Sequence, residues 1–470
     1  MLNIEDLQYR HLISLQAYNS GSPDAPVLRD EAEAFLTQAL DAGLIAPEDT
    51  RVIEMSEGLN RLKDSKTTCT PALARLHALF SNHLRRLTQT HTRKSLERYL
   101  RSESDSEKRR TAYQSFLQTI DDPAAFSVIL QILELRGPQY GQTKAQGLAV
   151  KDLSEVESLI SRVAATLHLP PLQTMPPWDF FAQMDGNDAR APLAAYTRTA
   201  IRMIEKIFAV RLAHVSRPTY HPDVQVFELH DQRGLIGIWH IDLFKRPGKF
   251  QGAWTQTALR RRLLPNGRAQ TPLVFLGFDL GRDEISFAES RSFLHELGHA
   301  LEHCLSPDPK HTPDTNEISS MYLESFVTHP DLLSLFPVDA SQLRNLRSQQ
   351  LTVDLARICL TAKMDIEIHR NSYASAAELK QKVSKALLSL DLAHPLVTPE
   401  TLTVFDHAFA DEEYASTYYS YLLSFIFARA LQEAHGTQLF WDFWHKDALE
   451  FVRQISMETV ELTNLAEGKC

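Results

Sequence analysis

Glycine is scarce in this chain, with 17 among 470 residues. Glycine is costly inside helices, so its scarcity suits a helix-rich protein. Cysteine is scarcer still: Cys69, Cys304, Cys359 and Cys470, with no C-x-x-C pair. That pattern indicates neither a disulfide framework nor a zinc ribbon and fits a reducing compartment. A basic start followed by an apolar stretch is missing from the N-terminus, where Glu5, Asp6, Arg10 and His11 stand. No apolar run reaches the roughly 18 residues that a membrane helix needs. The expected location is therefore cytoplasmic, with no membrane partner. An excess of basic charge is also lacking. The net charge of -10 argues against nucleic acid as a partner. Oligomeric state is not legible in the sequence.

What is present is ordinary for a globular protein, 43% hydrophobic and 23% charged residues. We expect a mainly α-helical, two-lobed body, with an N-terminal helical region over 1–120 and a second region over 121–470 that carries the site. Apolar residues three and four apart predict helices over 31–42, 71–87, 124–135, 153–167 and 193–212. The charge-rich stretch 102–110 reads as a break between helices or as a solvated helix face. Four prolines over 169–178 mark a connector. The pattern then turns to β-branched and aromatic residues. Val224–Leu229 and Leu235–Leu243, joined by His230-Asp-Gln-Arg-Gly234, read as a hairpin, and Leu273–Phe278 as a further strand. This small β-region lies near 222–278.

The residues that carry chemistry are His295-Glu296-Leu297-Gly298-His299. On a helix, histidines four apart share one face and can reach one ion, with Glu296 beside them as a base. The helix is supported independently, because Ser286 and Glu289 form a capping-box pattern before an apolar run. A catalytic zinc needs a third protein ligand. The next helix candidate, 314–328, holds Glu317 and Glu324. Glu324 lies in the apolar part, where a carboxylate is expensive unless paired with a charge. Glu317 lies near the start, where a solvated capping role suffices. Glu324 is thus the expected ligand, beside His295 and His299, for one Zn2+ per chain. Glu302 and His303 read as surface residues and Cys304 as a small apolar filler.

These residues resemble the thimet oligopeptidase family, which includes neurolysin, oligopeptidase A and oligoendopeptidase F. That family's motif usually reads His-Glu-Phe-Gly-His, and its ligand glutamate lies 25 positions after the second histidine, the place of Glu324. Tyr220-His-Pro-Asp-Val224, Asp242-Leu-Phe-Lys-Arg-Pro-Gly-Lys249, Gly252-Ala-Trp254 and Pro177-Trp178-Asp179 also look like family landmarks. So do Tyr414, Tyr418-Tyr419 and Tyr421. The resemblance covers roughly 124–440 and implies a deep channel between lobes that admits short peptides. Departures are present. The family's Asp three residues before the ligand is Met321, and its glycine-rich loop reads Ala410-Asp-Glu-Glu413. The histidine expected before the first tyrosine is Phe409, with His407 close by.

Spacing of i, i+4 and i+7 places Tyr414, Tyr418 and Tyr421 on one face if that segment is helical. The resemblance implies that Tyr418 and Tyr421 donate hydrogen bonds to the oxyanion of a tetrahedral intermediate, with Tyr414 and His407 contacting substrate. The function expected is a zinc-dependent metalloendopeptidase hydrolysing short peptides, with Glu296 as general base. Two other readings compete: a catalytically impaired pseudo-peptidase that binds a peptide or protein, and a processing peptidase dedicated to one precursor.

Overall fold

The computed structural model describes residues within 71–429, with breaks at 89–92, 168–174, 184–188, 262–269 and 306–314 and at a few single positions. The expected helix at 31–42, most of the 169–178 connector, and Cys69 and Cys470 lie outside the described residues. The structure is mainly helical with a small sheet. Among the described residues, the first six helices are α1 (Pro71–Thr88), α2 (Arg93–Ser102), α3 (Ser106–Ile120), α4 (Pro123–Arg136), α5 (Tyr140–Ala145) and α6 (Leu153–Thr166). The charge-rich stretch is a break, because Asp105 caps α3 by accepting from the Glu107 amide at 2.9 Å. Arg109 pairs with Asp179, and the Tyr113 hydroxyl donates to the Pro395 carbonyl at 2.8 Å. Both contacts tie α3 to distant parts of the chain.

Strand β1 (Arg190–Pro192) leads into α7 (Leu193–Phe208). That helix ends earlier than the apolar pattern suggests. Ala209 takes a left-handed conformation, φ 51°, and the chain enters strand β2 (Arg211–Val215). Next come β3 (Gln225–Asp231), β4 (Gly234–Phe244), β5 (Trp254–Leu259), β6 (Leu273–Leu280) and β7 (Glu284–Ser286). The expected hairpin is β3–β4, with a register shift at Leu229/His230. The five-stranded sheet runs β2-β3-β4-β6-β5, parallel only between β4 and β6. The central pair reads as continuous apolar sequence because both faces of those strands are covered, whereas β5 is an edge strand.

The sheet is covered by α8 (Phe287–Leu305), which follows β7 directly. Its Leu294, Leu297, Ala300 and Cys304 are fully buried. Truncating a leucine buried in this way typically costs about 2–5 kcal/mol. Cys304 is the filler its neighbours require. The Trp239 indole donates to its sulfur at 3.2 Å, and a Cβ at Gly237 would lie 2.2 Å from that sulfur. Glu302 does not lie on the surface as expected; it is buried within α8's packed face. Beyond α8 come α9 (Ile318–Glu324), α10 (Pro330–Leu333), the long α11 (Ala340–Ile368), α12 (Ala376–Leu388) and the short α13 (Asp406–Phe409). The chain is helical again from residue 420. One apolar core runs from Leu73 in α1 to Ala428. Among the described residues no helix is long and apolar enough to cross a membrane.

Candidate metal centre

Local sequence fixes the first half of the site. The Ser286 hydroxyl accepts from the Glu289 amide at 3.2 Å, while the Ser286 amide donates to the Glu289 carboxylate at 2.8 Å. This reciprocal box starts α8 and sets its rotation. The apolar face turns to the sheet, and His295 and His299 project from the other side, their ring centroids 5.0 Å apart.

Tertiary packing supplies the second half. At Gly298, between the two histidines, an added Cβ would lie 2.6 Å from the Ser319 carbonyl oxygen and 2.6 Å from the Ser320 Cα. Only glycine allows α9 to approach α8 this closely. The approach carries Glu317, just ahead of α9, onto the histidines. Its Oε2 stands 3.2 Å from His295 Nε2 and 3.2 Å from His299 Nε2. The Ser320 hydroxyl donates to the same Glu317 oxygen at 3.0 Å. Tetrahedral ligands about 2.0–2.1 Å from zinc lie about 3.3 Å from one another, so two imidazoles and one carboxylate at these separations suit that ion. Among the described residues, this is the one cluster of three such side chains with that spacing.

Glu324 is not placed as the third member. Its Oε2 meets the other nitrogen of His295, Nδ1, at 3.3 Å, and its Oε1 accepts from Arg291 Nε at 3.1 Å and Arg347 Nη2 at 2.9 Å. A carboxylate in an apolar segment needs a charge, and here two guanidiniums provide it in place of a metal ion. Glu317 has no capping hydrogen bond and is buried rather than solvated. Burial would lower the pKa of both imidazoles. Glu317, with Glu324 for His295, outweighs it, so both are raised, His295 well above the ordinary value. The Glu317 carboxyl is held well below the carboxylate range against its burial, by the charges and hydrogen bonds of His299 and His295. The cluster is therefore built to hold positive charge. A Gly298→Ala change should force α9 away from α8 and weaken metal retention at least tenfold, with a loss of about 1–3 kcal/mol in stability from overpacking. Equilibrium dialysis together with a thermal melt would check this; unchanged metal affinity would separate the glycine from the site.

Edge strand β5 approaches from the opposite side. The Trp254 indole lies over Gly277, where a Cβ would be 2.1 Å from the ring. This seat fixes the strand so that the Thr255 hydroxyl stands 2.7 Å from Glu296 Oε2 and 3.1 Å from the Glu296 carbonyl oxygen. Residues 252–254 carry only a family landmark in sequence, and no local pattern links the adjacent Thr255 to residue 296.

The tyrosines gather, but not as a helical stripe. Tyr414 and Tyr418 lie in turns, and only Tyr421 is in the helix. His407 assembles them, with ring centroids 5.4 Å from Tyr414, 4.9 Å from Tyr418 and 5.9 Å from Tyr421. Arg357 of α11 donates to the Tyr418 hydroxyl at 2.8 Å. Burial and then the Glu317 charge push the Tyr421 hydroxyl well above its usual pKa, which puts this ring in the field of the metal cluster. Asp365 of α11 fixes the turn by accepting from the amides of Ser416 at 3.2 Å and Tyr418 at 3.0 Å.

The altered loop ahead of the tyrosines is also anchored. Glu412 accepts from Arg136 Nε at 2.7 Å and from the Tyr140 hydroxyl at 2.6 Å, while Lys144 donates to the Glu412 and Ala415 carbonyls. Burial would raise the Glu412 pKa, but His77, Arg136 and Tyr140 together lower it to about 2. A depressed carboxylate stabilises the fold above its unfolded pKa, and that stability is lost as pH falls towards about 2. At neutral pH this amounts to roughly 3 kcal/mol, at 1.36 kcal/mol per pKa unit. The gap in melting temperature between wild type and Glu412→Gln should be wide at pH 7 and should close between about pH 4.5 and 2. An equal gap at both ends would refute the linkage.

The profile of Peptidase family M3 matches residues 142–440. That is more than half of the chain, and the protein belongs to this family. Among relatives, it is 27% identical over 355 residues to the mitochondrial intermediate peptidase of Coprinopsis scobicola, covering 61% of this chain and 44% of that protein. It is 25% identical over 235 residues to oligopeptidase A of Escherichia coli (strain K12), covering 44% of this chain and 35% of that protein. The chain thus spans less than half the length of either relative. In fold it is similar to the solved structure of PZ peptidase A with inhibitor 2, with a TM-score of 0.50 and 16% identity over 99% of this chain and 93% of that one. The expected family and the mainly helical fold are both borne out.

Proposed function

We propose that the protein is a zinc-dependent endopeptidase acting on short peptides, with His295, His299 and Glu317 as the metal ligands. The observation that carries this reading is the meeting of one Glu317 oxygen with both Nε2 atoms at 3.2 Å. Glu324 takes an outer place, holding His295 through Nδ1 so that Nε2 stays free to bind. Zinc in such a site acts as a Lewis acid towards a carbonyl and makes water a better nucleophile near neutral pH. Glu296 accepts the proton of the attacking water at a carboxylate oxygen and returns it to the leaving amine. Thr255 holds Glu296 Oε2, which leaves the other oxygen for that transfer. Tyr421 and Tyr418 donate hydrogen bonds to the carbonyl oxygen as it gains charge. Tyr414, 36% exposed, and His407 contact the peptide.

Purified protein should carry about one zinc per chain, lost in His295→Ala and in His299→Ala. Full occupancy in both variants would end the ligand assignment. Tyr421→Phe should lower kcat roughly a hundred- to a thousand-fold with little change in KM, because its hydrogen bond is made mainly in the transition state. A tyrosine that only packs would instead lower the melting temperature and leave kcat alone. The second reading is a processing peptidase for one precursor, supported by the relatives named mitochondrial intermediate peptidase. Turnover of a mixed peptide library separates the two, since a processing enzyme would cleave almost none of it. For location we propose a reducing compartment, which suits the free, buried thiols of Cys304 and Cys359. The cytoplasm and the mitochondrial matrix both fit.

A further inference from the structure

We infer that Arg357 is the centre of an anion subsite beside the proposed metal centre, and that it receives a carboxylate of the peptide substrate. This rests on the peptidase reading above. Residues 347, 354 and 357 lie seven and three apart on α11 and share one face. Across from them stand Arg291 of α8 and Glu324 of α9. Arg291 and Arg347 both hold Glu324 Oε1, at 3.0 and 2.9 Å. Arg291 also takes Asp354 Oδ2 at 2.8 Å. The remaining Asp354 oxygen is 3.8 Å from Arg357 Nη2, too far for a hydrogen bond. Glu324 and Asp354 thus take their hydrogen bonds from Arg291 and Arg347, and among the described residues Arg357 is left with longer-range attraction to Asp354 and Glu97 only.

Among the described residues, the hydrogen bond that Arg357 makes goes to a neutral group, the Tyr418 hydroxyl. A guanidinium offers five donors, and taking it out of water without a carboxylate is expensive. Arg93, at the start of α2, adds a second cation whose charge repels that of Arg357. The Arg357 side chain keeps 24% of its surface open, and one side of it faces the proposed oxyanion donor Tyr418, to which it donates. A planar, half-satisfied guanidinium on that side is complementary to a carboxylate, which it can bind through two parallel hydrogen bonds. The carboxylate is either the C-terminal one of a short peptide or an acidic side chain. In the first case the subsite would also fix how far from its C-terminus a peptide is cut.

The test uses the zinc-loaded full chain and three quenched fluorescent peptides of one sequence: free C-terminal acid, C-terminal amide, and the amide with a glutamate stepped along the chain. Hydrogen bonds to a charged partner predict about 10- to 100-fold higher kcat/KM for the acid than for the amide. Arg357→Met should bring that ratio to about one, and Arg357→Lys should keep part of it. The ratio is read rather than the rate, because losing Arg357 also frees Tyr418 and slows every peptide. If a stepped glutamate restores the amide's rate at one position and Arg357→Met abolishes the restoration, the subsite reads a side chain. Equal rates for all three peptides in the wild type, or a preference unchanged in Arg357→Met, would overturn the proposal. If the zinc-loaded protein cleaves no peptide, the peptidase reading has failed separately. Fluorescence anisotropy of the same peptides on wild type and Arg357→Met then decides the subsite by the same comparison.

Discussion

Glu317→Ala should release the metal, while Glu324→Ala should keep it with reduced affinity. The two carboxylates face different nitrogens of the same His295 ring, Glu317 at Nε2 and Glu324 at Nδ1. A four-ligand zinc site is worth about 10–16 kcal/mol at neutral pH, so one ligand is worth on the order of a hundred- to a thousand-fold in affinity. An outer carboxylate that orients a ligand histidine is worth about 10- to 100-fold. Metal-free stability separates the pair further, and in the opposite order. Removing Glu324 takes a buried carboxylate away from Arg291 and Arg347 and should cost about 3–5 kcal/mol. Removing Glu317 breaks its contacts with His295 and His299, but both imidazoles can then lose their protons, so it should cost less. Zinc titration against a competing chelator, with melts of the metal-free proteins, reads both. If Glu324→Ala loses the ion outright while Glu317→Ala retains it, the ligand assignment is reversed.

The largest loss of turnover is expected at Glu296. Glu296→Gln keeps the shape of the side chain and its contact with Thr255 but cannot accept a proton. Positioned acid–base catalysis contributes roughly 10²–10⁴-fold, so kcat should fall by that much with the metal retained. Thr255→Val should give a smaller loss, about tenfold, confined to kcat, and Thr255→Ser should restore most of it. In that comparison the hydroxyl is the variable and the packing of β5 is held nearly constant. Wild-type turnover in a metal-loaded Glu296→Gln protein would remove the base from the mechanism, whereas a metal-loaded wild type without turnover would favour the pseudo-peptidase reading.

The sequence placed His295, Glu296 and His299 together because their relation is local. Four residues on a helix make one turn, and the Ser286–Glu289 box that starts the helix is local too. The β3–β4 hairpin was legible for the same reason: strand periodicity on either side of a short turn. The third carboxylate was not legible. Counting 25 positions from His299 leads to Glu324, two helical turns past Glu317, and only the length of the 306–314 connection decides between them. With Glu317 in the place of the ligand, Asp314 stands three residues before it, and the apparent departure at Met321 disappears.

The tyrosines show the opposite error in geometry. Their spacing suggested a helix, yet Asp365, about fifty residues earlier, captures the amides of Ser416 and Tyr418 and holds the segment as turns. The rings still converge, because His407 packs against all three. Sequence by itself determined the helical class and brought the two histidines and Glu296 together, since these depend on periodicity or fixed spacing, and its motifs carried the family resemblance. Tertiary structure alone decided which glutamate meets both histidines, that Thr255 holds Glu296, and that Arg357, among the described residues, makes no hydrogen bond to a carboxylate. Those outcomes depend on how closely α9, β5 and α11 approach α8 and the tyrosine turn. Contacts between residues roughly 20 to 60 positions apart in the chain leave no local periodicity by which to read them.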